Sequence, residues 1–161
     1  MKTMLAAGAF ALALLLLPAA TASAQVVNMT ATLTGGEENP AILTGAVGVA
    51  DVSVDQTGRD IAVTLRLFNL PTGTTAGHIH AGPRGVNGPV VVDFPIPAGR
   101  TGDLTLTFRV GNSQFRARPE IGINTIDDVI QAMVGGGAYV NVHTSTNPGG
   151  EIRGQLVMAT R

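Results

Sequence analysis

The stretch Ala46-Val47-Gly48-Val49-Ala50-Asp51-Val52-Ser53-Val54 alternates with period two, is stopped by Asp55-Gln56-Thr57-Gly58, and resumes as Ile61-Ala62-Val63-Thr64-Leu65-Arg66-Leu67. Successive side chains on a strand point to opposite faces, so each run presents one apolar face. Two such runs around a polar, Gly-containing turn predict a β-hairpin. Working outward, residues 26–33 alternate more loosely and break at Gly35-Gly36. Further strands are expected at 76–80, 90–94, 104–110, 138–143 and 152–158, with Gly, Pro, Asn and Asp between them. Many short strands separated by turn residues predict an all-β sandwich or barrel.

One segment departs from this period. Thr125 is followed three residues later by Asp128, Ile126, Val129, Ile130 and Met133 fall at helical spacing, and Gly135-Gly136-Gly137 follows. That is a capped start, one apolar face and a stop, which predicts a short connecting helix packed on the sheet.

The first 24 residues are read as a signal peptide rather than as part of the fold. Lys2 gives a positive start, residues 5–17 an almost continuous apolar run, and Ala22-Ser23-Ala24 a small-residue cleavage pattern, so cleavage is expected before Gln25. The apolar run is too short for a membrane span. Residues 25–161 are then expected to form a single domain, secreted or periplasmic. That part holds nine arginines and no lysine against eleven acids, a net charge of −2, which implies neither nucleic acid nor an anionic membrane surface as partner. The chain has no cysteine, hence no disulfide and no lipid-attachment thiol. A Gly-x-Ser-x-Gly elbow and a phosphate loop are also missing, so hydrolase and nucleotide-binding readings lack a starting residue.

All three histidines sit in two strand-like runs, Gly77-His78-Ile79-His80 and Tyr139-Val140-Asn141-Val142-His143. On a strand His78 and His80 share one face while Ile79 turns to the other. A third imidazole, from His143, would complete a nitrogen site of the kind that suits copper or zinc. Because neutral imidazole is the binding form, affinity is expected to fall as pH drops through the histidine range near 6.5. The alternative is scaffolding, in which the histidines bond to loop carbonyls at the mouth of the sandwich. Both runs empty into Gly/Pro-rich loops, 81–89 and 144–154. In the second, Glu151 and Arg153 share strand parity, so they are expected to pair with each other or to clamp neighbouring loop backbone.

Gly77-His78-Ile79-His80-Ala81-Gly82 with Asn87-Gly88-Pro89-Val90, then Tyr139-Val140-Asn141-Val142-His143 and Gly149-Gly150-Glu151-Ile152-Arg153-Gly154-Gln155-Leu156, resembles the chordin-type (CHRD) domain over roughly residues 30–157. The resemblance implies a Greek-key, immunoglobulin-like β-sandwich or barrel distantly similar to copper/zinc superoxide dismutase, and no settled activity. In the dismutase a His-x-His and a later Val-His supply copper ligands, and His78, His80 and His143 stand in those places. This sequence departs from it in having no histidine left to bridge to zinc and no cysteine. The reading is therefore an exported, non-enzymatic binding module for an unidentified protein or small ion, holding one copper or zinc through the three histidines. A copper-dependent redox enzyme and a metal-free structural or adhesive envelope module are the alternatives.

Overall fold

The computed structural model describes residues 26–55 and 60–160. The expected signal segment, its cleavage site before Gln25 and most of the expected turn between the first two alternating runs lie outside the described residues.

Among the described residues there are nine antiparallel strands: β1 Val26–Thr34, β2 Val47–Asp55, β3 Asp60–Leu70, β4 Thr74–Ala81, β5 Val90–Asp93, β6 Gly102–Val110, β7 Ala138–Thr144, β8 Ile152–Gln155 and β9 Val157–Met158. The deciding hairpin forms in the register that its pattern demands: Val52 lies opposite Val63, Ala50 opposite Leu65 and Val54 opposite Ile61. All six are buried, while Asp51, Ser53, Ala62 and Thr64 between them reach the surface. A one-residue slip would reverse both faces, so burial of this set fixes the pairing. Each fully buried Val, Leu or Ile contributes roughly 1.5–3 kcal/mol.

Spatial order departs from chain order. The sheet runs β5-β4-β7-β8-β1-β2-β3-β6, with β9 also on β1. The β3–β4 connection thus leaps from one side of the sheet to the other and the β5–β6 connection returns, the long-connection pattern of a Greek key. The sheet curls until its ends approach: Phe94, just after β5, meets Phe108 of β6 edge-on with ring centroids 5.0 Å apart. The expected all-β sandwich or barrel is what the chain forms, with one α-helix among the described residues, α1 (Ile126–Val134). Thr125 and Asp128 build the full capping box at its start, and Ile126, Val129, Ile130 and Met133 are its buried residues. The strand expected at 152–158 is interrupted. Leu156 is buried and donates its N–H to Ala138, which splits the run into β8 and β9 on either side.

Every residue of β7 is buried, including the polar Asn141, His143 and Thr144. The core face of β7 is Val140 and Val142. Its other face is covered not by another sheet but by loops 35–46, 82–89 and 145–151, as their bonds to it show below. This loop-covered polar face carries the histidines.

Candidate metal centre

Register places the three histidines together. In an antiparallel pair, residues directly opposite share a face. His78 is opposite Asn141 and Asp93, His80 is opposite Tyr139, and Asn141 is opposite Arg153. Alternation along β7 adds His143 to the side that bears Tyr139 and Asn141. Ile79 between the two histidines of β4 is fully buried on the core side, as its parity requires.

The rings converge. Centroids are 4.8 Å apart for His78 and His143, 5.5 Å for His78 and His80, and 6.1 Å for His80 and His143. One ring nitrogen from each lies within 4.8 Å of the other two. Two nitrogens each about 2.1 Å from one ion can be at most roughly 4.2 Å apart, so closing on a metal takes a shift of several tenths of an ångström.

The second nitrogen of each ring fixes which atoms face inward. His80 Nδ1 is 2.9 Å from the Gly88 carbonyl and His143 Nδ1 is 2.9 Å from the Pro148 carbonyl. A carbonyl only accepts, so both Nδ1 atoms carry the proton and both Nε2 atoms carry the lone pair. His143 Nε2 accepts from His78 Nδ1 at 3.0 Å. His80 Nε2 is buried and has no partner. On the far side of His78, Nε2 lies 3.6 Å from the Asp93 carboxylate, which Arg116 holds by a 2.6 Å bond to its other oxygen.

Packing sets the positions of these groups. His80 stacks on Tyr139 with centroids 4.8 Å apart and planes 10° from parallel, and the Tyr139 hydroxyl accepts the Gly88 N–H. Arg153 also lies over the Tyr139 ring, 4.8 Å from its centroid, and ties in two loops by donating to the Glu37 carbonyl and to Asn87 Oδ1. Gly88 is required where it is: a Cβ there would lie 1.7 Å from the Ala81 carbonyl oxygen.

Burial holds the imidazoles neutral. It is the main cause pushing His78 down to about 4, helped by the neighbouring His143 and His80 and opposed by Asp93. His80 and His143 are also lowered, first by burial, against the raising effect of their bonds to Gly88 and Pro148. Proton competition for these lone pairs is thus displaced to a more acid range than the ordinary value near 6.5.

The expected Glu151–Arg153 relationship takes only one of its two forms. They do not bond to each other; each clamps loops separately. Glu151, fully buried, accepts from Thr44, Thr144 and Asn147. Burial pushes its carboxyl up, but these three bonds together outweigh that and hold it below the usual range. Nearby Glu38 is raised to about 7, chiefly by burial and against the pull of Arg153 and an Asn141 bond. Asp93 and Tyr139 belong to the site without being among the expected residues His78, His80 and His143. Strand parity beside His78 was the available signal for the first, and the motif position of Tyr139 the signal for the second.

The CHRD domain profile matches residues 29–156, which spans β1 to β8 and every residue of this centre. The chain belongs to the CHRD domain family. No curated protein and no solved structure matches it. The expected likeness to copper/zinc superoxide dismutase is therefore not borne out, while membership of the CHRD family and the all-β architecture are. Among the described residues of this CHRD protein, no helix is long and apolar enough to cross a membrane.

Proposed function

We propose that this CHRD protein is an exported binding module, one domain over residues 25–161, that holds a single copper or zinc ion through His78 Nδ1, His80 Nε2 and His143 Nε2. The observation that carries the reading is His80 Nε2, a buried lone pair without a donor beside two further imidazoles. A buried unsatisfied acceptor costs about 1–3 kcal/mol, so it is retained where something uses it. The donor set suits the group: three neutral imidazoles are ligands for zinc and copper, His80 and His143 already donate their other nitrogen's proton to a backbone carbonyl, and His78 has the Asp93 carboxylate 3.6 Å from its other nitrogen. For His78 to offer Nδ1 to an ion, its proton would have to sit on Nε2, and the 3.6 Å gap to the Asp93 carboxylate would have to close to make the third such pair. Three protein nitrogens would leave a zinc or copper ion able to take a further ligand from water or a small molecule, and of the three histidines His78 is the most exposed. Export is supported by the leader-like residues 1–24, which precede the matched region.

A second reading has its own observation. In the arrangement described, the imidazoles already tie β4, β7 and the loops at Gly88 and Pro148 together, which is a scaffold's work. Titration of Zn(II), Cu(II) and Cu(I) into untagged protein separates the two. One tightly held equivalent and a raised melting temperature, both abolished by His143→Ala, support the centre. Equal binding by the variant, or none in the wild type, leaves the scaffold.

A further inference from the structure

We infer that β6 is a self-association edge, through which two copies of this chain pair antiparallel about Leu106. Among the described residues, β6 pairs with β3 and with no other strand, and no other backbone hydrogen bond involves residues 103–109. Half of its N–H and C=O groups therefore face away from the sheet. At the opposite end of the sheet, β5 is closed. It has four residues, and the chain after β6 folds back over it through Asp93 N–H to Gln114 O and Arg116 N–H to Val91 O.

Edges are normally blunted by shortness, by Pro, by Lys or by a charge turned inward. Nine-residue β6, Gly102-Asp103-Leu104-Thr105-Leu106-Thr107-Phe108-Arg109-Val110, has no Pro, no Lys and no charge on its inward face; its charged residues Asp103 and Arg109 stand on the outer face, and a register shift against β3 falls only at its Gly102 end. Its inward side chains Leu104, Leu106 and Phe108 remain partly exposed, whereas Val63, Leu65 and Leu67 beside them on β3 are buried. Leu104 and Phe108 pack against the core from this edge, Phe108 also against Phe94, and what surface these side chains leave exposed is apolar.

The sequence of β6 specifies a second copy of itself as the occupant. Antiparallel pairing centred on Leu106 sets Asp103 opposite Arg109 twice, Thr105 opposite Thr107 twice, and Leu104 opposite Phe108 twice. Opposite charges and Thr–Thr pairs then share the outer face and apolar pairs the inner one, the favourable cross-strand combinations. Shifting the centre by one residue, to Thr105 or Thr107, loses the charge pairing. A two-fold axis through Leu106 makes the contact isologous and closed, so it yields a dimer and not a fibre. One added strand pair is a small interface, and the dimer is accordingly weak and concentration-dependent.

The test is light scattering and sedimentation of the purified protein from micromolar to hundreds of micromolar, with circular dichroism as a check on folding. Wild type should pass from monomer to dimer. Asp103→Arg, which sets like charges opposite each other, should weaken association at least tenfold, and adding Arg109→Asp should recover it. Because the chain has no cysteine, Leu106→Cys on the axis should form a disulfide-linked dimer under mild oxidation, and Thr105→Cys should form far less. A wild type that stays monomeric throughout, folded charge variants that associate as well as wild type, or equal crosslinking at 105 and 106 would overturn the inference.

Discussion

His78 Nδ1 lies 3.0 Å from His143 Nε2, so a single proton between two strands stands where a metal ion would have to come. In the metal-free protein that proton leaves Nε2 of His78 bare, 3.6 Å from the Asp93 carboxylate, a distance too long for a hydrogen bond. Loading the proposed centre would require the other tautomer, with the proton on His78 Nε2 facing Asp93.

If the three histidines hold an ion as proposed, Asp93 would be a positioning residue for it, touching only the far side of His78. Replacement by Ala is expected to lower metal affinity by about 10- to 100-fold, the range for lost outer partners of metal-bound histidines. Calorimetric titration against wild type measures it. Unchanged affinity with unchanged folding would remove Asp93 from the centre.

Gly88 joins stability to the site. A Cβ there meets the Ala81 carbonyl, so Gly88→Ala must displace the loop whose own carbonyl receives His80 Nδ1–H. The variant is expected to lose on the order of 2–3 kcal/mol of stability, because the added Cβ collides with backbone in a half-buried loop, and to bind metal more weakly. Thermal melts with and without Zn(II) report both effects.

Acid should destabilise the metal-free protein through its histidines. Their folded values lie below 6.5, so the unfolded chain binds more protons between about 6.5 and 4, and stability falls as pH falls through that window. Glu38 acts in the opposite sense. Raised to about 7 in the fold, it gives stability that is present below the ordinary glutamate value and lost as pH rises through 7. Glu38→Gln should therefore stabilise the protein at pH 8 and make its acid loss steeper than that of wild type. Denaturant midpoints at pH 5, 6.5 and 8 decide it, and a Glu38→Gln protein with the wild-type profile would contradict the assignment.

Glu151 is expected to behave as a clamp and not as a ligand. Its carboxylate receives three side-chain hydrogen bonds that a Gln side chain cannot all accept. Glu151→Gln should cost about 1–3 kcal/mol while leaving metal affinity within a few-fold of wild type. A loss of affinity as large as that from His143→Ala would move Glu151 into the centre.

Strand positions and the helix were legible in the sequence because local chemistry decides them. Period-two alternation in 46–54 and 61–67 admits one register, and Thr125 with Asp128 caps a helix by themselves. The His78/His80 face was legible for the same reason. What strand parity could not supply was long-range placement. Nothing local says that β1 lies between β8 and β2, or that β6 returns beside β3, because those neighbours are set by how the curled sheet closes over its core. Burial of the face with Tyr139, Asn141 and Arg153 was hidden too. Its alternation reads as a solvent-facing side, and three loops from distant parts of the chain cover it. That cover lowers the histidines and raises Glu38, so the expected proton competition near 6.5 shifts to lower pH.

The most direct test is nitrogen-15 NMR of the imidazole rings, in which the three histidines give a spectrum simple enough to assign in full. In the metal-free protein at neutral pH, His80 and His143 should show protonated Nδ1 and bare Nε2, with His78 protonated at Nδ1. One equivalent of Zn(II) should shift His78 Nδ1, His80 Nε2 and His143 Nε2 together, move the His78 proton to Nε2, and produce no further change on a second equivalent. Resonances that stay in place after one equivalent, or that drift gradually over many, would contradict a three-histidine centre.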